Sequence, residues 1–119
     1  MKRIYYILLL FLFFAGNVSA QSRNTARKLF QQGKYADAKP MFQKLLKKYP
    51  KDAEYSYWYA VCCIETGDSV NVLPLLEYAA SRKISNAYRY LGNYHNERLN
   101  YPEAISYYGD FIDLTKDDS

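Results

Sequence analysis

Gly33, Ala38, Pro40 and Phe42 are echoed thirty-four positions later by Gly67, Val72, Pro74 and Leu76. A third copy appears when the spacing shrinks by two: Tyr35, Ala38 and Phe42 recur sixty-six residues on as Tyr101, Ala104 and Tyr108. Self-similarity at such a period marks a chain of stacked supersecondary units, each too small to bury its apolar face alone. In each copy a helix-period segment leads to a short break (QQGKY, ETGDS, RLNYP), and a second amphipathic segment follows. The pattern predicts an all-α superhelix of about three helix-turn-helix hairpins, spanning about 21–52, 53–84 and 85–118.

The breaks have turn chemistry. Gly33 and Gly67 let the backbone turn tightly, Asp68 is placed to cap the helix it precedes, and Pro102 falls where a first helical turn tolerates a missing N–H. Glu103 adds a favourable charge at that helix start. Pro40 and Pro74 stand at equivalent places in two copies, read as one or two turns into the second helices, where a proline removes a backbone hydrogen bond and bends the helix. The small residues Ala26, Ala38, Ala60, Gly92 and Ala104 mark places where two helices approach closely. The large Phe42, Leu76 and Tyr108 fill the space beside them.

A period of thirty-four with the pattern W-x2-L-G-x2-Y, then A-x3-F, then P is that of the tetratricopeptide repeat, and the sequence resembles that family throughout residues 21–119. The first copy has Ala26 and Leu29, then Ala38, Phe42 and Pro50. The third has Tyr88, Leu91, Gly92 and His95, then Ala104 and Tyr108, and is the most specific. The middle copy departs furthest, with Ala60 and Cys63, Val72 and Leu76, and Ile84 near where a proline would close the repeat.

Residues 1–20 stand apart. Lys2 and Arg3 precede an apolar run from Ile4 to Ala15, followed by Gly16 and the small-residue end Val18-Ser19-Ala20, which is the layout of a secretory signal peptide cut before Gln21. The run of about twelve residues is short of the roughly twenty that a membrane span needs. The reading is therefore export to the periplasm of a Gram-negative bacterium, secretion being the alternative, with no stable membrane insertion after cleavage.

Removing Lys2 and Arg3 from the 16 cationic residues leaves 14 against 12 anionic ones, so nucleic acid is a poor partner. The distribution is more telling. Gln21 to Lys51 carries nine cations and one anion, and Asp52 to Ser119 five cations and eleven anions, so one end is basic and the other acidic.

Few residues suggest reaction chemistry. Cys62 and Cys63 are adjacent within a predicted helix, where neighbours point about a hundred degrees apart, an arrangement poor for a disulfide or a metal. They read as buried thiols, a redox role being the alternative in an oxidising compartment. His95, the only histidine, reads as a packed and hydrogen-bonded side chain. Asp110, Asp113, Asp117 and Asp118 read as a solvated acidic face. With no phosphate loop, nucleophile elbow or metal-ligand spacing, the chain is read as a non-enzyme without cofactor or metal. Tyr55, Tyr57, Trp58 and Tyr59 cluster in a way that could suggest a carbohydrate or peptide platform, but most of the tyrosines are assigned to packing between helices, and only those on the inner face are given a binding role.

The resemblance implies a concave groove lined by the first helix of each hairpin. By register with the family, the inward positions are Arg23, Arg27 and Phe30, then Tyr57, Val61 and Ile64, then Arg89, Asn93 and Asn96. Such domains hold a peptide or partner protein, and some clamp a terminal carboxylate with Lys or Arg and Asn, although Val61 replaces a central asparagine of that clamp. The alternative is the N-terminal scaffold of a larger envelope protein, one preceding propeller or OmpA-like domains. The last hairpin ends in an apolar stripe, Ile105, Tyr108, Phe111 and Ile112, with LTKDDS in place of a polar closing helix, so self-association is a further expectation.

Overall fold

The computed structural model describes residues 21–68 and 70–116. The leader, its cleavage point, and Asp117 and Asp118 of the acidic face lie outside those residues. Among them the chain forms six helices and no strand: α1 over 21–31, α2 (Tyr35–Lys48), α3 (Ala53–Glu65), α4 (Leu73–Ser81), α5 (Ser85–Glu97) and α6 (Tyr101–Lys116). They pair as three hairpins, α1/α2, α3/α4 and α5/α6.

The helix ends explain the repeat better than the helices do. At four of them one residue turns left-handed, its own N–H donates three residues back, and the next N–H donates five residues back, which is the Schellman motif. After α1 the donors are Gly33 to Phe30 and Lys34 to Leu29; after α3 they are Gly67 to Ile64 and Asp68 to Cys63. After α4 they are Lys83 to Ala80 and Ile84 to Ala79, and after α5 Leu99 to Asn96 and Asn100 to His95. The left-handed φ angles are 74° at Gly33 and 69° at Gly67, but 66° at Lys83 and 62° at Leu99. The third hairpin thus makes with leucine the turn that the first two make with glycine.

The second hairpin corrects two expectations. Asp68 does not cap α4, which starts five residues later; its carboxylate instead accepts from Lys39 Nζ on α2 at 2.8 Å and from the Val70 N–H at 3.2 Å. Because α4 begins at Leu73, Pro74 lies in its first turn, where a missing N–H breaks no bond, and no bend is required of it. Pro40 keeps the predicted interior position, with α2 continuous around it. Pro102 and Glu103 stand in the first turn of α6 as anticipated.

The core runs along α3. As the first helix of the middle hairpin it is covered on both sides, and Tyr55 to Tyr57 and Tyr59 to Cys63 are all buried. A helix apolar on nearly every side is stable only when enclosed in this way. Ser56, its one buried polar side chain, donates to the Leu75 carbonyl at 3.0 Å. The small-against-large pairing is also present. Ala26, Ala38, Ala60 and Ala104 are buried, Phe42 and Leu76 are fully enclosed, and the Tyr108 ring occupies the space beside Gly92.

Candidate functional site

Three contacts line up the first helices of the hairpins. Arg23 of α1 pairs with Glu54 of α3 at 3.6 Å, the Phe30 ring of α1 meets Tyr57 of α3 at 6.3 Å, and Tyr57 meets Tyr90 of α5 at 6.0 Å. Phe30, Tyr57 and Tyr90 thereby form a row of aromatic rings across α1, α3 and α5. Burial, helped by the neighbouring Tyr90, pushes the Tyr57 hydroxyl up to about 12.

That row divides the residues that register alone assigns to the groove. Val61 is 0% exposed, so its side chain belongs to the core and offers no surface to a ligand. Tyr57, at 8%, is floor rather than contact. The cause is position: register treats the three first helices alike, but the middle one is overlaid from both sides. Arg23, Arg27, Arg89, Ile64 and Asn96 are exposed, while Phe30 and Asn93 are half-buried. Asn93 Oδ1 accepts from the Tyr108 hydroxyl at 2.5 Å, which ties α5 to α6.

The arginines are held, not loose. The Arg27 guanidinium lies 5.7 Å from the centre of the Trp58 ring and Arg89 4.9 Å from that of Tyr90, while Arg23 lies 5.9 Å from Tyr55 besides its pairing with Glu54. A guanidinium laid on a ring keeps the donors along its edge available for a carboxylate, with part of its rotamer freedom already lost.

Beyond the row of rings a cavity of about 510 Å³ opens where the end of α3 and the following loop meet the second half of α5. Ile64, Val72, Tyr90 and Tyr94 provide its apolar and aromatic lining, and Asn93 a polar one. Glu65, Asp68, Glu97 and Arg98 are its charged groups. Asp68 is bound by Lys39, and Arg98 lies 3.5 Å above the Tyr94 ring while donating to the Tyr94 carbonyl at 3.1 Å. Of the sequence-assigned groove residues only Ile64 and Asn93 reach this cavity. Tyr90, Tyr94 and Glu97 were missed; with Asn93 their spacing of three and four along α5 is the signal that marks them as one face.

The groups considered for reaction chemistry are engaged elsewhere. His95 stacks on Tyr107 at 5.5 Å, and its Nδ1 faces the Asn100 amide nitrogen at 3.2 Å. Cys62 and Cys63 are free and fully buried; burial pushes the Cys62 thiol up to about 12 and raises Cys63 as well.

The model of the family described as tetratricopeptide repeat matches residues 23–71. Comparison with curated proteins finds no match. Among solved structures, one described as "MamA RS-1 ArsTM double mutant" is similar, with a TM-score of 0.70 and 14% identity over 85% of this chain. The match spans 58% of that structure's own chain. At this identity the likeness speaks for the fold.

Proposed function

Because the chain is a tetratricopeptide repeat protein, we propose that it is an exported protein–protein interaction module holding an extended peptide of its partner along α1, α3 and α5. The observation that carries this reading is the pair of exposed guanidinium groups laid on aromatic rings, Arg27 on Trp58 and Arg89 on Tyr90. Paired donors in a fixed plane suit carboxylates, so the preferred ligands carry acidic side chains or a free C-terminal carboxylate. Arg23 contributes less, since Glu54 already takes part of its charge. The reading is of binding rather than turnover, and it is supported by a sole histidine that is stacked and two thiols that are enclosed.

Titration of an acidic partner peptide against Arg89→Ala, with Lys47→Ala on α2 as control, tests the site. Loss of the Arg89 contact weakens binding by roughly 1–3 kcal/mol if the pair is desolvated and by under about 1 if it stays at the rim. Equal effects from both variants, or from neither, point instead to a scaffold segment. Export is supported by the cationic start, short apolar run and small-residue end of residues 1–20. Intact-mass measurement of the periplasmic fraction tests it, with a chain beginning at Gln21 as the result in favour and a full-length membrane-retained chain as the result against.

Self-association belongs to the same reading. Of the stripe expected on α6, Tyr108 is turned to Gly92 and Phe111 is half-buried, which leaves Ile105 and Ile112, 70% and 58% exposed, with Tyr101 on the same helical spacing. We assign a second copy to this stripe, drawn in by charge: residues 21–51 are strongly basic, and Glu103, Asp110 and Asp113 are exposed on α6. Sedimentation at several concentrations should then show association that weakens in high salt and with Ile105→Lys. A monomer under all conditions removes this part of the proposal.

A further inference from the structure

The cavity between α3 and α5 has the opposite chemistry to the arginine-bearing surface beside it. Glu65 is the last residue of α3 and Glu97 the last of α5, so both carboxylates sit at helix C-termini, where the backbone dipole disfavours negative charge. Neither is joined in an ion pair among the described residues. Asp68 is matched by Lys39, and Arg98 offsets one of the two glutamates, which leaves the cavity with about one negative charge in excess. Its lining supplies what an alkyl stem and a cation need: Ile64 and Val72, beside the tyrosine rings, for methylene groups, and Glu65 and Glu97 for the charged end. Each of those rings already carries a cation of this chain, Arg98 on Tyr94 and Arg89 on Tyr90, so the charged end of a ligand falls to the carboxylates.

We propose that this cavity is a binding site for one lysine or arginine side chain of a partner protein, its charge met by Glu65 and Glu97 and its stem by Ile64 and Val72 beside Tyr90 and Tyr94. Two carboxylates that work against their own helices are then explained, since a bound cation relieves both. The inference rests on reading this side of the molecule as a protein-binding surface. It makes that surface bipolar: a partner segment would present acidic groups toward Arg27 and Arg89 and a single basic residue at the α3/α5 end.

The test is an NMR titration of the purified protein with N-acetyl-lysine methylamide, beside the neutral N-acetyl-norleucine methylamide, which has nearly the same alkyl stem. Saturable shifts at Ile64, Val72, Tyr90 and Tyr94, at least fivefold stronger for the lysine compound and reduced to the norleucine level by Glu65→Gln/Glu97→Gln, are the result in favour. Equal responses to the two compounds, shifts centred elsewhere, no saturable shift, or indifference to the double substitution overturn the proposal. Arg27→Ala, whose guanidinium lies on Trp58 outside the cavity, should leave the lysine response unchanged while weakening the response to an acidic peptide. Loss of only one of the two responses therefore tells which of the two sites was misread.

Discussion

The ring of Tyr108 occupies the space where a side chain on Gly92 would stand, and its hydroxyl donates to Asn93, the very next residue of α5. One tyrosine on α6 therefore both requires the glycine and is anchored beside it. Since α6 makes its principal contacts with α5, this pairing holds the last hairpin closed.

Gly92→Ala should accordingly destabilise the protein. In an open helix the change would gain about 1 kcal/mol from helix propensity. Here the new methyl group overlaps the ring, and the ring cannot swing away without giving up its hydrogen bond to Asn93. Overpacking of this kind costs typically 1–3 kcal/mol, so after the propensity gain a net loss of up to about 2 kcal/mol is anticipated in urea unfolding. Adding Tyr108→Leu should recover much of it; strictly additive losses would show that the two residues are not coupled.

The turns offer a second measurement. Leu99 adopts φ 62° and is 71% exposed, so it has backbone strain without burial to offset it. Leu99→Gly should stabilise by up to about 1 kcal/mol, because the left-handed conformation is free of steric cost only for glycine. Gly33→Ala, at φ 74° with open space around it, should lose about the same, since conformation alone is at stake there. Thermal unfolding of the two variants with opposite signs is the expected outcome, and shifts of the same sign would contradict it.

What the sequence disclosed follows from what its residue types oblige. Glycine at 33 and 67 is a residue that a left-handed turn favours, so the first two turns were legible, whereas Lys83 and Leu99 adopt the same turn without announcing it. The small-and-large rhythm of Ala38 with Phe42 and of Gly92 with Tyr108 is set by helix contact and was readable throughout. Asp68 and Pro74 misled because they were read by analogy with the first copy, while the longer loop between α3 and α4 moved the start of α4 to Leu73. Val61 was misplaced because register does not know that Phe30 and Tyr90 flank the middle helix. The α3/α5 cavity was hidden for a different reason: its lining comes from the end of α3, the loop after it and α5 together, which no pattern along a single helix shows in full.

Pro40 and Pro74 separate two meanings of one residue. The missing N–H of Pro40 would have bonded the Ala36 carbonyl inside α2, whereas the N–H missing at Pro74 falls among the unpaired donors of the first turn of α4. Pro40→Ala should therefore stabilise by about 1–2 kcal/mol, the regained helical bond outweighing the roughly 0.4–1 kcal/mol lost through a more flexible unfolded chain. Pro74→Ala regains no bond and keeps only that loss. Equal effects of the two substitutions on the denaturation midpoint would contradict the assigned positions.

The last prediction concerns alkali. Cys62 is pushed up to about 12 by burial, with the adjacent Cys63 next in effect, and Tyr57 and Tyr59 also reach about 12 through burial. In the unfolded chain the thiol titrates near about 8.5 and the phenols near about 10. A group whose folded pKa is raised lends stability that is intact below its unfolded pKa and is lost as pH rises through the folded one. Stability should thus be flat from neutrality to about pH 8.5 and then fall, first through the thiols and above about pH 10 through the tyrosines as well. Each group adds a slope of up to about 1.4 kcal/mol per pH unit while only its unfolded form is ionised. Lys39, raised by its hydrogen bond to Asp68, acts in the same direction at the alkaline end. Replacing both cysteines by alanine lowers the plateau, because it leaves small voids, but should delay the decline to about pH 10. Urea midpoints measured from pH 7 to 11 on both proteins decide the matter: an unchanged onset near pH 8.5 in the alanine variant would mean that the buried thiols are not what titrates first.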